Sequence, residues 1–196
     1  MVARKDFDII SEWIKPNCRI LDLGCGDGSL LKLLNEKRNI SGYGIDNSME
    51  KTIKSVDNGI NIINTDINEN LKYFTSNKFD YVVLAQSLQV VDNPVSLIKE
   101  MLRVGNEAII SFPNMGYWKS RLYLLLKGEM PITDDLPYSW HSTPNIHLCT
   151  INDFKKMCYK NKFQIVDEVI NNSQGLNITT SSMSNLFGTS AIFKIR

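Results

Sequence analysis

Apolar positions along this chain recur with two periods, one helical and one extended. Ile10, Trp13 and Ile14 fall at i, i+3 and i+4, which predicts an amphipathic helix over residues 6–14, ended by Pro16. A buried-type strand is predicted over 19–23, a glycine turn over 24–28, and a helix over 29–38 whose Leu30, Leu33 and Leu34 share a face. Strands are predicted next over 42–46, 60–64 and 79–84, with a helix over 47–58 between the first two. Asn93 suits a helix N-cap and Pro94 the first helical position. Leu97, Ile98, Met101 and Leu102 form the apolar stripe of a helix over 93–104, and Gly105 suits the residue that stops it. A further strand is predicted over 107–112. Strands and helices that alternate in this way imply parallel strands joined by crossover helices.

The rhythm breaks over residues 113–150. This segment holds four of the six prolines, two of the three tryptophans (Trp118 and Trp140) and both histidines. A helix is expected over 117–127, followed by a long Pro-rich, aromatic connection of the kind that usually carries function. The helix has a basic face, with Lys119, Arg121 and Lys127 read as solvated. Thr150 and Asp153 have capping spacing for a helix bearing Phe154, Met157 and Cys158. Strands are expected over 163–170 and from 187 or 188 to 195. With only a polar loop read between them (171–185), they are expected to form an antiparallel edge pair.

Composition narrows the function classes. The chain has 196 residues, 43% hydrophobic and 22% charged, with a formal net charge of +1. That suits one globular domain over 1–196. The near balance of charge argues against a nucleic-acid partner. Cys18, Cys25, Cys149 and Cys158 have no metal-binding spacing with each other or with the histidines, so no metal site is expected, and they read as reduced thiols. The longest apolar run is too short to span a bilayer, and the first residues lack a signal-peptide pattern. The expected setting is cytoplasmic, with no membrane partner.

The strongest chemical signal is Asp22-Leu23-Gly24-Cys25-Gly26-Asp27-Gly28 at a strand-to-helix junction. Glycines let the backbone approach a ligand, and the helix start offers free N–H groups. A dinucleotide fingerprint needs its third glycine at position 29, which is Ser29. The observed spacing resembles motif I of class I S-adenosylmethionine-dependent methyltransferases. Asp46, ending the second strand, is placed to accept from two ribose hydroxyls; an N-cap or solvated strand end is the plainer reading. By the same superfamily resemblance, Asp66 and Ile67 would meet an adenine, although Asp66 also suits a turn. Asn47 and Gln86 complete the expected cofactor set. The end of the fourth strand, residues 84–89, has no acid, base or cysteine. His141 and His147 are the candidate general bases, and loop histidines without catalytic work are the commoner case.

Longer motifs add a resemblance that covers nearly the whole chain. Residues 19–28, Gln86-Ser87-Leu88-Gln89, 101–105, Ser111-Phe112-Pro113-Asn114 and 144–150 together resemble the methionine biosynthesis protein MetW family. The resemblance implies a doubly wound, mostly parallel seven-stranded α/β sheet of the class I methyltransferase, Rossmann-like type. It implies a bacterial protein of methionine biosynthesis that binds S-adenosylmethionine or S-adenosylhomocysteine. It also implies a partner, a homoserine O-acyltransferase (MetX-like), whose activity the protein supports. The alternative is a methyltransferase acting on a small molecule. A nicotinamide-dependent oxidoreductase is disfavoured by the glycine spacing.

Overall fold

The computed structural model describes residues 4–68, 71–133, 136–172 and 183–196. In chain order the elements are α1 (Lys5–Trp13), β1 (Arg19–Leu23), α2 (Ser29–Arg38), β2 (Ser41–Asp46), α3 (Met49–Asp57), β3 (Ile62–Asn64), β4 (Phe79–Ala85), α4 (Pro94–Val104), β5 (Gly105–Pro113), α5 (Trp118–Lys127), α6 (Ile151–Asn161), β6 (Ile165–Asn171), α7 (Ser184–Phe187) and β7 (Ser190–Ile195). Two 3-10 turns, Leu71–Tyr73 and Leu88–Val90, were not foreseen from the sequence.

All seven strands form one sheet in the order β3-β2-β1-β4-β5-β7-β6. The first five are mutually parallel, and β7 runs antiparallel to both β5 and β6. The chain builds β1 to β3 outward and then returns to place β4 against β1. Strand order therefore reverses between β1 and β4, where open α/β sheets carry their ligands.

Two apolar layers explain why the strands read as unbroken hydrophobic runs. Ile20, Tyr81, Val83, Ile109 and Ile192 face α1 and α2, where Ile10, Ile14, Leu30, Leu31 and Leu34 are buried. Their neighbours Leu21, Val82, Leu84, Ile110 and Phe193 face α4 and α6. Covered on both sides, the strands need no polar face. Phe112, Phe154 and Phe193 lock α6 onto β5 and β7, with ring centroids 4.7–5.9 Å apart.

Several expectations are corrected. Helix α3 starts at Met49, with Ser48 as its cap, so Asn47 lies in the preceding turn. Gly105 has φ −127° and is the first residue of β5, paired with Phe79, so it is not a left-handed helix stop. A Cβ there would lie 2.6 Å from Val82 Cγ2, so packing against β4 accounts for the glycine. The expected antiparallel edge pair of β6 and β7 is present; within it β7 is the inner strand and β6 the edge, because Ala191, Ile192, Phe193 and Ile195 are all fully buried while Val166, Asp167 and Glu168 suit an edge. A single helical turn, α7, lies between them and straddles the end of the stretch read as a loop (171–185); residues 173–182 of that stretch lie outside the described residues.

Candidate functional site

Strand β1 runs buried to Leu23 and then turns through Gly24, Gly26 and Gly28, whose φ angles are +69°, +60° and +75°. Side chains avoid that region. Close neighbours add a second reason at two positions. A Cβ at Gly24 would lie 2.7 Å from Ser87 Oγ, and one at Gly28 2.9 Å from Ser55 Oγ. At Gly26 no atom lies within 4 Å of that position, so this part of the turn faces open space.

The turn is held from behind. The Gly24 and Cys25 N–H groups both donate to Ile45 O, at 2.7 and 3.0 Å. Ser55 Oγ donates to Gly26 O and Asn58 Nδ2 to Asp27 O, each at 3.0 Å. Asp27 Oδ1 accepts from the Ser29 N–H at the start of α2, and the Ser29 hydroxyl holds its carboxyl below the usual range.

Two carboxylates converge on the turn. Asp46, buried at the end of β2, accepts from Gly26 N on one oxygen and from Ser48 N on the other, each at 2.9 Å. Each oxygen keeps a free lone pair for a further donor. Asp22 is 2% exposed, and its Oδ1 has no hydrogen-bond partner. Burial pushes its carboxyl up to about 7, with Arg4 opposing the rise and Asp46 and Asp6 adding to it. An unmet buried acceptor is costly and calls for an explanation. A ligand donor reaching it is one.

Gln86 stands after β4 with φ +56°, an uncommon value for a side-chain-bearing residue. Its N–H is shared by Ser111 O and Ser111 Oγ at 3.0 Å, and its carbonyl accepts from Gln89 Nε2 at 2.9 Å. Beyond β3, Asp66 Oδ1 accepts from the Asn68 backbone and side chain, and Ile67 packs half-buried against the core. Asn68 Oδ1 in turn accepts from Asp92 N, which ties this loop to the start of α4.

Both histidines are exposed. His141 lies edge-on to Trp140, and His147 Nε2 is 3.4 Å from Asp92 O. The 146–147 backbone reaches the 3-10 turn that follows β4, donating twice to Gln89 O at 2.8 and 3.0 Å. The thiols are neutral: burial drives Cys25 far up, Cys149 up to about 12 and Cys158 to about 11.

Sequence reasoning missed three supports. Ser55 and Asn58, on and just after α3, hold the turn but look like ordinary surface residues of a polar helix. Arg4 and Asp6 form an ion pair at 2.7 Å, and Asp6 also accepts from Ser111 Oγ at 3.3 Å. Asn114 Nδ2 donates to Asn185 O and Gly188 O while its Oδ1 accepts from Gly116 N and Ile151 N, pinning both ends of the 113–150 segment. The Ser111-Phe112-Pro113-Asn114 motif was the available signal for Ser111 and Asn114, though it did not reveal what they bind.

A family model described as methionine biosynthesis protein MetW matches residues 4–195. The chain belongs to the MetW family. A curated relative, the bifunctional methionine biosynthesis protein MetXA/MetW of Rhodopirellula baltica, is 34% identical over 197 residues, which is 95% of this chain. The chain spans about a third (32%) of that relative's length. Solved structures similar to this MetW chain include an S-adenosylmethionine-dependent methyltransferase from Mesorhizobium loti, with TM-score 0.70, 15% identity, and 99% and 98% of the two chains covered. The plantazolicin methyltransferase BpumL, solved with SAH, gives TM-score 0.67 at 18% identity, covering 99% and 85%. The [4+2]-cyclase SpnF gives 0.70 at 17%, covering 98% and 80%. These likenesses establish the class I methyltransferase fold. A cyclase among them illustrates that the fold does not fix the chemistry.

Proposed function

We propose that this MetW-family protein binds S-adenosylmethionine or S-adenosylhomocysteine and, within methionine biosynthesis, supports or regulates a homoserine O-acyltransferase. The observation that carries the ligand half is the combination, around one glycine turn, of open space at Gly26, the spare lone pairs of Asp46 and a buried, unmet Asp22 oxygen at the end of β1. Asp46 accepts from the ribose hydroxyls. Gly24, Cys25, Gly26 and Gly28 shape the cradle, with Asp27 capping the helix behind it. Asn47, Asp66, Ile67 and Gln86 border the nucleoside. When bound, S-adenosylmethionine supplies a methyl group already activated by its sulfonium.

The acyltransferase half is supported by the relative whose printed name joins MetXA to MetW in one chain. The competing reading, a small-molecule methyltransferase, finds little chemistry at the end of β4. Gln86 and Gln89 are poor bases, both histidines are exposed, and burial keeps the nearby thiols protonated.

Calorimetry with S-adenosylhomocysteine tests the ligand half. Asp46→Ala is expected to weaken binding about tenfold to a hundredfold, the value of losing hydrogen bonds to a charged acceptor. No heat at millimolar ligand in the unaltered protein overturns the reading. Co-purification with the acyltransferase tests the partner half, and methyl transfer to a small acceptor in its absence would favour the enzyme.

A further inference from the structure

Helix α5 does not behave like a helix packed on its own domain. Of its ten residues, WKSRLYLLLK, only Ser120 is buried. Leu125 is 79% exposed and Leu126 73%, and Trp118, Leu122 and Leu124 are exposed as well. Trp118, Leu122 and Leu125 recur at i, i+4 and i+7, one stripe along the helix, with Leu126 at its edge. Scattered exposed apolar residues are ordinary, but a continuous stripe of this kind marks an interaction surface.

The same segment holds a cavity of about 170 Å³, lined by residues before and after the helix in sequence and by none of α5 itself. Met115 precedes α5, and Met130 follows it. Tyr138, Trp140, Ile146 and Leu148 give the wall most of its apolar surface, and Thr143 and Asn145 are its polar members. That volume suits one large apolar side chain. The surface stands on a fixed base, because Met115 N donates to Cys149 O at 3.0 Å and Asn114 holds Gly116 and Ile151. Aromatic anchors beside a pocket on a pinned scaffold are the usual make-up of an interface centre.

We infer that the α5 stripe and this cavity are the docking surface for the homoserine O-acyltransferase, an inference that rests on the partner half of the proposed function. The relative that joins MetXA and MetW covalently is the argument for this occupant: a fused pair keeps its second domain at high local concentration beside the MetW-like part. Charge argues against a second copy of this chain. Helix α5 carries Lys119, Arg121 and Lys127 and no acid, so a two-fold contact would set like charges face to face. The partner's matching patch is apolar with an acidic rim, and it offers one bulky side chain to the cavity.

The test uses the full chain and the purified homoserine O-acyltransferase of the same organism. Leu125→Glu/Leu126→Glu changes two exposed residues, so folding is spared. Met49→Glu/Ile53→Glu on α3, where both residues are also exposed, is the control. The α5 variant is expected to bind the acyltransferase at least thirtyfold more weakly, and Trp140→Ala at least tenfold. The control is expected to bind like the unaltered chain, and all variants are expected to keep their S-adenosylhomocysteine affinity. If the unaltered chain binds the acyltransferase and the α5 variant binds equally well, this surface assignment fails alone. If the unaltered chain does not bind it, the partner half of the proposed function fails and the assignment falls with it. Self-association, or binding to anionic phospholipid vesicles, that α5 charge reversal abolishes while acyltransferase binding persists would assign the stripe elsewhere and overturn the inference.

Discussion

Asp22 is buried with one unmet oxygen, and the role proposed for it in binding makes two predictions at the scale of a single residue. Burial raises its carboxyl to about 7 from an ordinary 3.8, so between those values the folded protein holds a proton that the unfolded chain releases. Stability from this group is therefore present at low pH and lost as pH rises through about 7, by on the order of a few kcal/mol. Asp22→Asn removes that loss. It is expected to melt higher than the unaltered protein at pH 8, with the gap closing toward pH 5 in thermal scans without ligand. The same change is expected to weaken S-adenosylmethionine binding, because the amide cannot offer a charged acceptor to a cationic ligand. Binding by the unaltered protein should strengthen from pH 5.5 to 7 as Asp22 ionises, and Asp22→Asn should flatten that slope. A variant no more stable at pH 8 and equally pH-dependent in affinity would remove Asp22 from both roles.

At the scale of elements, the 113–150 segment is joined to the sheet by a short stem. Asn114 satisfies two carbonyls and two N–H groups drawn from the loop before α5, the start of α6, α7 and the residue after it. Asn114→Ala leaves those groups unmet where water has poor access. We expect a loss of about 2–4 kcal/mol in urea unfolding, more than a surface substitution gives. Asn114→Asp keeps the acceptor side but sets a buried carboxylate oxygen against the Asn185 and Gly188 carbonyls, so it should be no better tolerated than alanine at neutral pH. Capping by Thr150, whose hydroxyl accepts from Asp153 N at 3.1 Å, fixes the other end of the stem, as its spacing in the sequence predicted.

For the whole molecule, the site is assembled from parts far apart in sequence. The glycine turn, Asp46, Gln86 and Ser111 meet only because β1, β2, β4 and β5 end side by side, with Asp6 reaching over Ser111. A ligand that bridges them binds only the folded chain and stabilises it as a unit. At a hundred times its dissociation constant, S-adenosylhomocysteine should add about 2.7 kcal/mol, or roughly 5–10 °C in melting temperature for a chain of this size. Differential scanning calorimetry checks it, and an unchanged midpoint at that concentration would contradict the proposed site. Among the described residues no helix is long and apolar enough to cross a membrane, so the exposed leucines of α5 do not make it a membrane span.

The sequence alone determined what depends on near neighbours. Hydrophobic period placed the strands and helices, glycines at 24, 26 and 28 marked the turn, and Asn93 and Thr150 announced their helices, because capping and φ preferences act over a few residues. Only the tertiary structure decided matters set by distant contacts. It placed β7 inside the sheet, gave Gly105 to packing against Val82, left the Oδ1 of Asp22 without a hydrogen-bond partner, and turned Ser55 and Asn58 toward the turn. It also left the leucines of α5 facing outward, where helical periodicity alone would have buried them. Burial and hydrogen-bond satisfaction are properties of what the fold brings alongside a residue, and no local pattern encodes them.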